Sequence, residues 1–129
     1  MRVAVVGATG MIGNHTARAV VAVGHELCVI HRSSSKLDQL PDVPQQRRVA
    51  ELGDKAAMTA ALSDCDAVIN CAAYYPTAPR PWREEVTQAV AEMREFYAAC
   101  AALSLQKIVY LGAAIALPKA GDGYANHHW

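Results

Sequence analysis

Net charge, paired cysteines and long apolar runs are all scarce in this chain of 129 residues. Twelve basic residues balance twelve acidic ones, so the formal net charge is zero. Neither nucleic acid nor an anionic membrane is favoured as a partner. The four cysteines, Cys28, Cys65, Cys71 and Cys100, show no Cys-x-x-Cys spacing. Each lies in or beside an apolar run, and they read as small buried hydrophobes in a reducing compartment, the cytoplasm. His127 and His128 are adjacent and have no cysteine nearby, which argues against a metal site. After Arg2 the apolar run Val3 to Val6 is ended by Gly7. It is too short for the core of a secretory signal and far too short to span a bilayer. Repeats, low-complexity tracts and an interdomain linker are missing as well. What remains is a neutral, soluble domain, 53% hydrophobic and 19% charged, with enough residues for one core.

Strand and helix patterns alternate from the start. Arg2 to Val6 reads as an apolar strand. Met11 to Val23 carries Ile12, Ala19, Val20 and Val23 at helical spacing, and Gly24 follows where a helix stops. Leu27 to His31 is a second strand. Ser33, Ser34 and Ser35 form a turn able to cap a short helix from Lys36 to Leu40, which Pro41 and Pro44 end. Arg48 to Leu52 is expected as a third strand, Lys55 to Leu62 as a helix and Ala67 to Cys71 as a fourth strand. A loop marked by Pro76, Pro79 and Pro81 leads to the longest helix, Trp82 to Leu103. Its inward stripe is Val86, Val90, Met93, Tyr97 and Cys100. Lys107 to Leu111 is a fifth strand, and Gly112 to Trp129 reads as a loop tail.

Strands separated regularly by helices imply right-handed βαβ crossovers and a parallel sheet. Strands one, four and five read as apolar runs covered on both faces. The predicted fold is α/β, a Rossmann-type doubly wound parallel sheet of about five strands in the order 3-2-1-4-5. A ligand belongs over the carboxyl ends of the strands, at the switch between strands one and four.

Gly7-Ala8-Thr9-Gly10-Met11-Ile12-Gly13 joins the first strand to the first helix. In such a loop the first glycine permits the turn out of the strand. The second lets the backbone approach a pyrophosphate, and the third lets the helix pack closely. Backbone N–H groups from Thr9 to Ile12, among them those of Gly10 and Met11, then point at phosphate, aided by the positive end of the helix dipole. A bare glycine spacing is a weak signal, but one that follows a first strand and opens a helix points to a dinucleotide.

The spacing is GxxGxxG, and it resembles the short-chain dehydrogenase/reductase superfamily in its extended and atypical branches. Glu51-Leu52-Gly53-Asp54 resembles the acidic-plus-leucine turn after strand three that contacts adenine. Asp66 to Ala73 resembles the strand-four motif ending in two alanines, which places Cys71, Ala72 and Ala73 beside the cofactor. Ile108-Val109-Tyr110-Leu111 resembles strand five. The likeness covers essentially the whole chain and lies near NAD-dependent epimerase/dehydratase proteins, the nucleoside-diphosphate-sugar epimerases and dihydroflavonol-4-reductase-like proteins. It implies a nicotinamide cofactor and hydride transfer on a carbonyl or alcohol of a small-molecule substrate. The C-terminal part of the family fold is expected to be missing, so that the chain reads as a truncated cofactor-binding domain, the alternative being a small protein whose fifth strand is an unprotected edge.

An NAD site ordinarily ends strand two with a carboxylate for the ribose 2′-OH. Here the place holds His31-Arg32-Ser33-Ser34, with no acid until Asp38. Arg32 and the serine hydroxyls suit a 2′-phosphate, so NADP is expected in preference to NAD. His31 stands at the wet end of the strand.

The resemblance also implies a proton relay: a Ser or Thr after strand five and a Tyr-x-x-x-Lys pair on the next helix. Burial and a neighbouring cation would be needed to bring a phenol toward neutrality. This sequence has Ala113 at the serine position and no Tyr-x-x-x-Lys. Tyr124 is followed four residues on by His128. Tyr75 is placed to line the nicotinamide pocket, though a loop tyrosine packing on its neighbours is the commoner case. The chain alone is therefore expected to lack turnover. The rival reading is a non-catalytic NADP-binding redox sensor or partner-binding module. A flavodoxin-like mononucleotide protein is disfavoured by the glycine spacing and the Ala72-Ala73 strand end. With the relay helix missing, the open edge of strand five and one flank of the long helix are expected to pair with another chain, giving a homodimer, or else aggregation.

Overall fold

The computed structural model describes residues 1–72 and 82–112. Five strands, β1 (Arg2–Val6), β2 (Glu26–His31), β3 (Gln46–Val49), β4 (Ala67–Asn70) and β5 (Lys107–Tyr110), form one sheet. All are parallel, in the order β3-β2-β1-β4-β5 that the sequence pattern predicts. Helices α1 (Met11–Ala22), α2 (Lys55–Leu62) and α3 (Trp82–Ala101) carry the crossovers from β1 to β2, β3 to β4 and β4 to β5.

Period-two alternation on β1 divides the core. Ala4 and Val6 face one side with Cys28, Ile30, Val68, Met58, Leu62 and Phe96, beneath α2 and α3. Val3 and Val5 face the other with Leu27, Val29, Ala17 and Val20, beneath α1. This is the pattern of a strand buried on both faces. Cys28, Cys65 and Cys100 are buried, with unpaired thiols. Hydrogen bonding between two of them lowers the Cys28 thiol's pKa and raises that of Cys65.

Several expectations need correction. In α1 the buried residues are Gly13, Ala17 and Val20, whereas Ile12 and Val23 are 44% and 69% exposed and Ala19 is exposed. Small residues face the sheet there because the helix lies close to it. The segment after β2 forms only a 3-10 turn, Leu37–Gln39, with no side-chain cap from the serines. β3 begins and ends earlier than predicted: Ala50 still donates to His31 O, but Asp54 N bonds Glu51 O, which turns the chain by Glu51. In α3 the fully buried positions are Phe96, Ala99 and Cys100, with Met93 and Tyr97 packed beside them, while Val86 and Val90 are only half-buried. β5 is not covered on both faces, since Ile108 and Val109 are each 42% exposed. It stands at the sheet edge, paired among the described residues with β4 alone.

The ends of α1 and α2 follow local chemistry. Gly24, with φ +83°, closes α1: its N–H donates to Val21 O and that of His25 to Val20 O, the Schellman arrangement. Asp54 caps α2 by accepting from Ala57 N at 3.0 Å.

Candidate functional site

Register sets the level of the site. Val6 is opposite Ile30 on one side and Asn70 on the other. The ladder runs one residue further through Cys71 N to Val6 O, at 2.9 Å. Above these strand ends lies a cavity of about 550 Å³, within the range of small-molecule and cofactor sites.

The loop 7–13 forms one wall, and its three glycines differ. Gly7 has φ +84°, and a β-carbon there would stand 2.8 Å from Ala72 N. Gly13 is pressed against the loop itself, where a β-carbon would lie 2.1 Å from Gly7 O. Gly10 has an ordinary backbone, φ −81°, and a β-carbon would meet only Gly7 O, at 3.4 Å. So Gly7 and Gly13 are required by the protein's own packing, whereas Gly10 leaves space that the fold does not use. Gly10 is also the N-cap of α1, and Asn14 N to Gly10 O is the first helical bond. No side chain caps this end and no acid lies in the first turn. The first-turn N–H groups are those a helix cannot satisfy internally, and together with the dipole they suit an anion.

The second wall comes from β2 and β3. His31, Arg32, Ser35, Ala50, Glu51, Leu52 and Gly53 line it. The Arg32 N–H donates to Ser35 Oγ and its carbonyl accepts from Ser35 N, which closes the turn. His31 Nδ1 lies 2.9 Å from Arg32 O, so that ring nitrogen donates. Arg32 is exposed and forms no ion pair among the described residues. Glu51 Oε1 accepts from Ser33 N at 3.2 Å and from Ser33 Oγ at 3.3 Å.

At the end of β4, Cys71 and Ala72 line the cavity. Asn70 is fully buried. Its Oδ1 accepts from Ala72 N at 3.0 Å, and its Nδ2 donates to Met93 Sδ. This pins the chain as it leaves the strand. Cys71 Sγ approaches Thr16 Oγ1 at 3.7 Å.

Of the residues chosen from sequence, Gly7, Thr9, Gly10, His31, Arg32, Glu51, Leu52, Cys71 and Ala72 border the cavity. Gly13 lies behind the loop, Met11 and Ile12 are exposed with side chains outside the lining, and Ser33 stands behind Glu51. Ala73, Tyr75, Ala113, Tyr124, His127 and His128 lie outside the described residues. Ala89, Glu92 and Met93 bring α3 to the cavity; the sequence pattern marks Met93 as inward-facing but gives none of the three a place at the site. The spacing of Ala89 and Met93, four residues apart on one helical face, was the available signal.

Among the described residues no helix is long and apolar enough to cross a membrane. No curated protein matches the chain. The model of the NAD dependent epimerase/dehydratase family matches residues 3–126. A solved nucleoside-diphosphate-sugar epimerase from Pseudomonas aeruginosa is 39% identical, with a TM-score of 0.76 over 94% of this chain and 36% of that one. The Bordetella bronchiseptica enzyme WbmH, solved in complex with NAD+, is 23% identical, with a TM-score of 0.73 over 89% and 40% of the two chains. Uronate dehydrogenase from Agrobacterium tumefaciens is 21% identical, with a TM-score of 0.69 over 87% and 40%. The last two show likeness of fold. The chain spans well under half the length of each of these structures.

Proposed function

Because the chain belongs to the NAD dependent epimerase/dehydratase family, we propose that it is the nicotinamide-dinucleotide-binding portion of an oxidoreductase or nucleotide-sugar epimerase. The observation that carries this is the unused space at Gly10 beside the uncapped start of α1, at the carboxyl end of β1. The residues fit the group. The N–H groups of Thr9, Met11 and Ile12 would hold the pyrophosphate, whereas that of Gly10, expected from the sequence to join them, is donated to Gly7 O at 3.0 Å. Glu51 and Leu52 would meet the adenine, and Cys71, Ala72 and Ala73 the nicotinamide end. When bound, the cofactor supplies a hydride acceptor or donor for a carbonyl or alcohol substrate. The chain's own task is to bind and orient it.

Arg32, with no acid ending β2, favours the 2′-phosphate and hence NADP(H) over NAD(H). Isothermal titration of the purified chain with both cofactors tests the reading: micromolar binding supports it, and failure to bind either overturns it. The 129 residues contain no Tyr-x-x-x-Lys pair, so turnover in the whole protein would need residues beyond them. Ala113 at the relay serine's position favours a second reading, a non-catalytic dinucleotide sensor. Reduction of a carbonyl substrate by the whole protein would exclude it. Self-association belongs to the same proposal, since Ile108 and Val109 leave apolar surface at the edge of the sheet. Light scattering coupled to gel filtration distinguishes a dimer from a monomer.

A further inference from the structure

We propose that Glu51 limits the preference for NADP(H) that Arg32 gives this chain. The inference rests on the dinucleotide reading above and concerns only which form of the cofactor is taken. β2 and β3 are paired in parallel with His31 opposite Val49. Two residues beyond each partner, Ser33 and Glu51 meet, and both Ser33 donors, N–H and hydroxyl, go to one carboxylate oxygen. They are two of the neutral donors on the turn that follows β2, which also carries the hydroxyls of Ser34 and Ser35. A phosphate at this turn could not take these two while Glu51 holds them. Glu51 also lines the cavity itself. Among the described residues no cation bridges it. The carboxylate that such sites usually place at the end of strand two is here delivered from strand three. It disfavours a 2′-phosphate in two ways: by like charge, and by occupying the hydrogen bonds that would receive it. A ribose 2′-OH, neutral and able to donate, meets neither obstacle. Specificity is a difference between two affinities, and a repulsive group contributes to it as surely as an attractive one.

The test is the ratio of NADP+ to NAD+ affinity, measured by titration calorimetry on the 129-residue chain at fixed ionic strength. Loss of an adenine contact weakens both cofactors alike and cancels in this ratio. Glu51→Gln removes the charge and should raise the ratio by roughly 10-fold, the scale of one close charge pair. Glu51→Ala also frees Ser33 and should raise it at least as far. Ser33→Ala alone should move it by less than about twofold, because the hydroxyl is already taken. Added to Glu51→Ala, it should take back part of the increase, and that non-additivity marks a shared contact. If the native chain binds both cofactors and the ratio is unmoved in Glu51→Gln and Glu51→Ala, the role of Glu51 is overturned while the dinucleotide reading stands. If the native chain binds neither cofactor, both fall. Circular dichroism checks that the variants keep the fold, as the exposed position of Glu51 leads one to expect.

Discussion

Gly13 lies so close beneath Gly7 that a β-carbon on the first would stand 2.1 Å from the carbonyl oxygen of the second. The obstacle is backbone, which cannot swing aside as a side chain can. Gly13→Ala should therefore lower stability by about 3 kcal/mol or more, at the upper end of overpacking. The urea midpoint reads this directly. A midpoint equal to that of the native chain would mean that the loop can shift away from α1 at little cost.

Gly10→Val should have the opposite profile. The backbone at Gly10 is extended and a β-carbon there would meet only Gly7 O, at 3.4 Å, so the fold should survive with its circular dichroism spectrum intact. Cofactor binding should fall by at least about 100-fold, because the side chain stands where backbone must approach phosphate. Unchanged affinity would reduce the loop to a turn.

Arg32→Asp should weaken NADP+ binding by roughly 100-fold and leave NAD+ within a few fold. It replaces a charge-assisted contact to the 2′-phosphate by a repulsion. Equal losses for the two cofactors would assign Arg32 to another part of the ligand.

The opposite end of the sheet predicts an acid limb. Asp64 bonds Arg48 and also Arg2, which in turn reaches Glu26. The hydrogen bonds from Arg48, and then the positive charge of both guanidiniums, hold the Asp64 carboxyl down at about 2, against about 3.9 for a free aspartate. As pH falls, the unfolded chain takes up this proton first. The stabilisation is complete above about pH 4 and is lost as pH approaches 2. Half-exposed pairs of this kind are weak and screened by salt. Asp64→Asn should flatten this limb in urea titrations across that range, and added salt should shrink the difference from the native chain.

The 129-residue chain should show no reductase or epimerase turnover. Loss of NADPH absorbance at 340 nm, on addition of a carbonyl substrate and in proportion to the chain, would refute this.

How much of this was legible follows from where the determining signals lie. β1 could be read because Val3 to Val6 is apolar and Gly7 ends it, and the loop because its glycines stand between a strand and a helix. Ile12 and Val23 misled because periodicity counts apolar residues, whereas α1 packs closely through Gly13 and Ala17. β3 was displaced because Ala50 and Leu52 are indeed inward-facing or half-buried but belong to the turn. Phe96, the largest fully buried side chain, lies one residue before Tyr97 and was passed over when the stripe was drawn through the tyrosine. The contact of Ser33 with Glu51 spans two strands 18 residues apart. It depends on register, which local pattern does not contain.

The level at which the strands end ties the cavity to the whole molecule's melting. Val6, Ile30 and Asn70 share one register line across the middle of the sheet, and all three are buried. The floor of the cavity cannot part without breaking the central ladders, so their amides should exchange with solvent only on global opening. A dinucleotide bound at hundredfold its dissociation constant would then add about 2.7 kcal/mol to that opening. Hydrogen exchange should slow at Val5 and Val29, whose side chains lie on the far face of the sheet beneath α1, by the same factor as at Val6, Ile30 and Asn70.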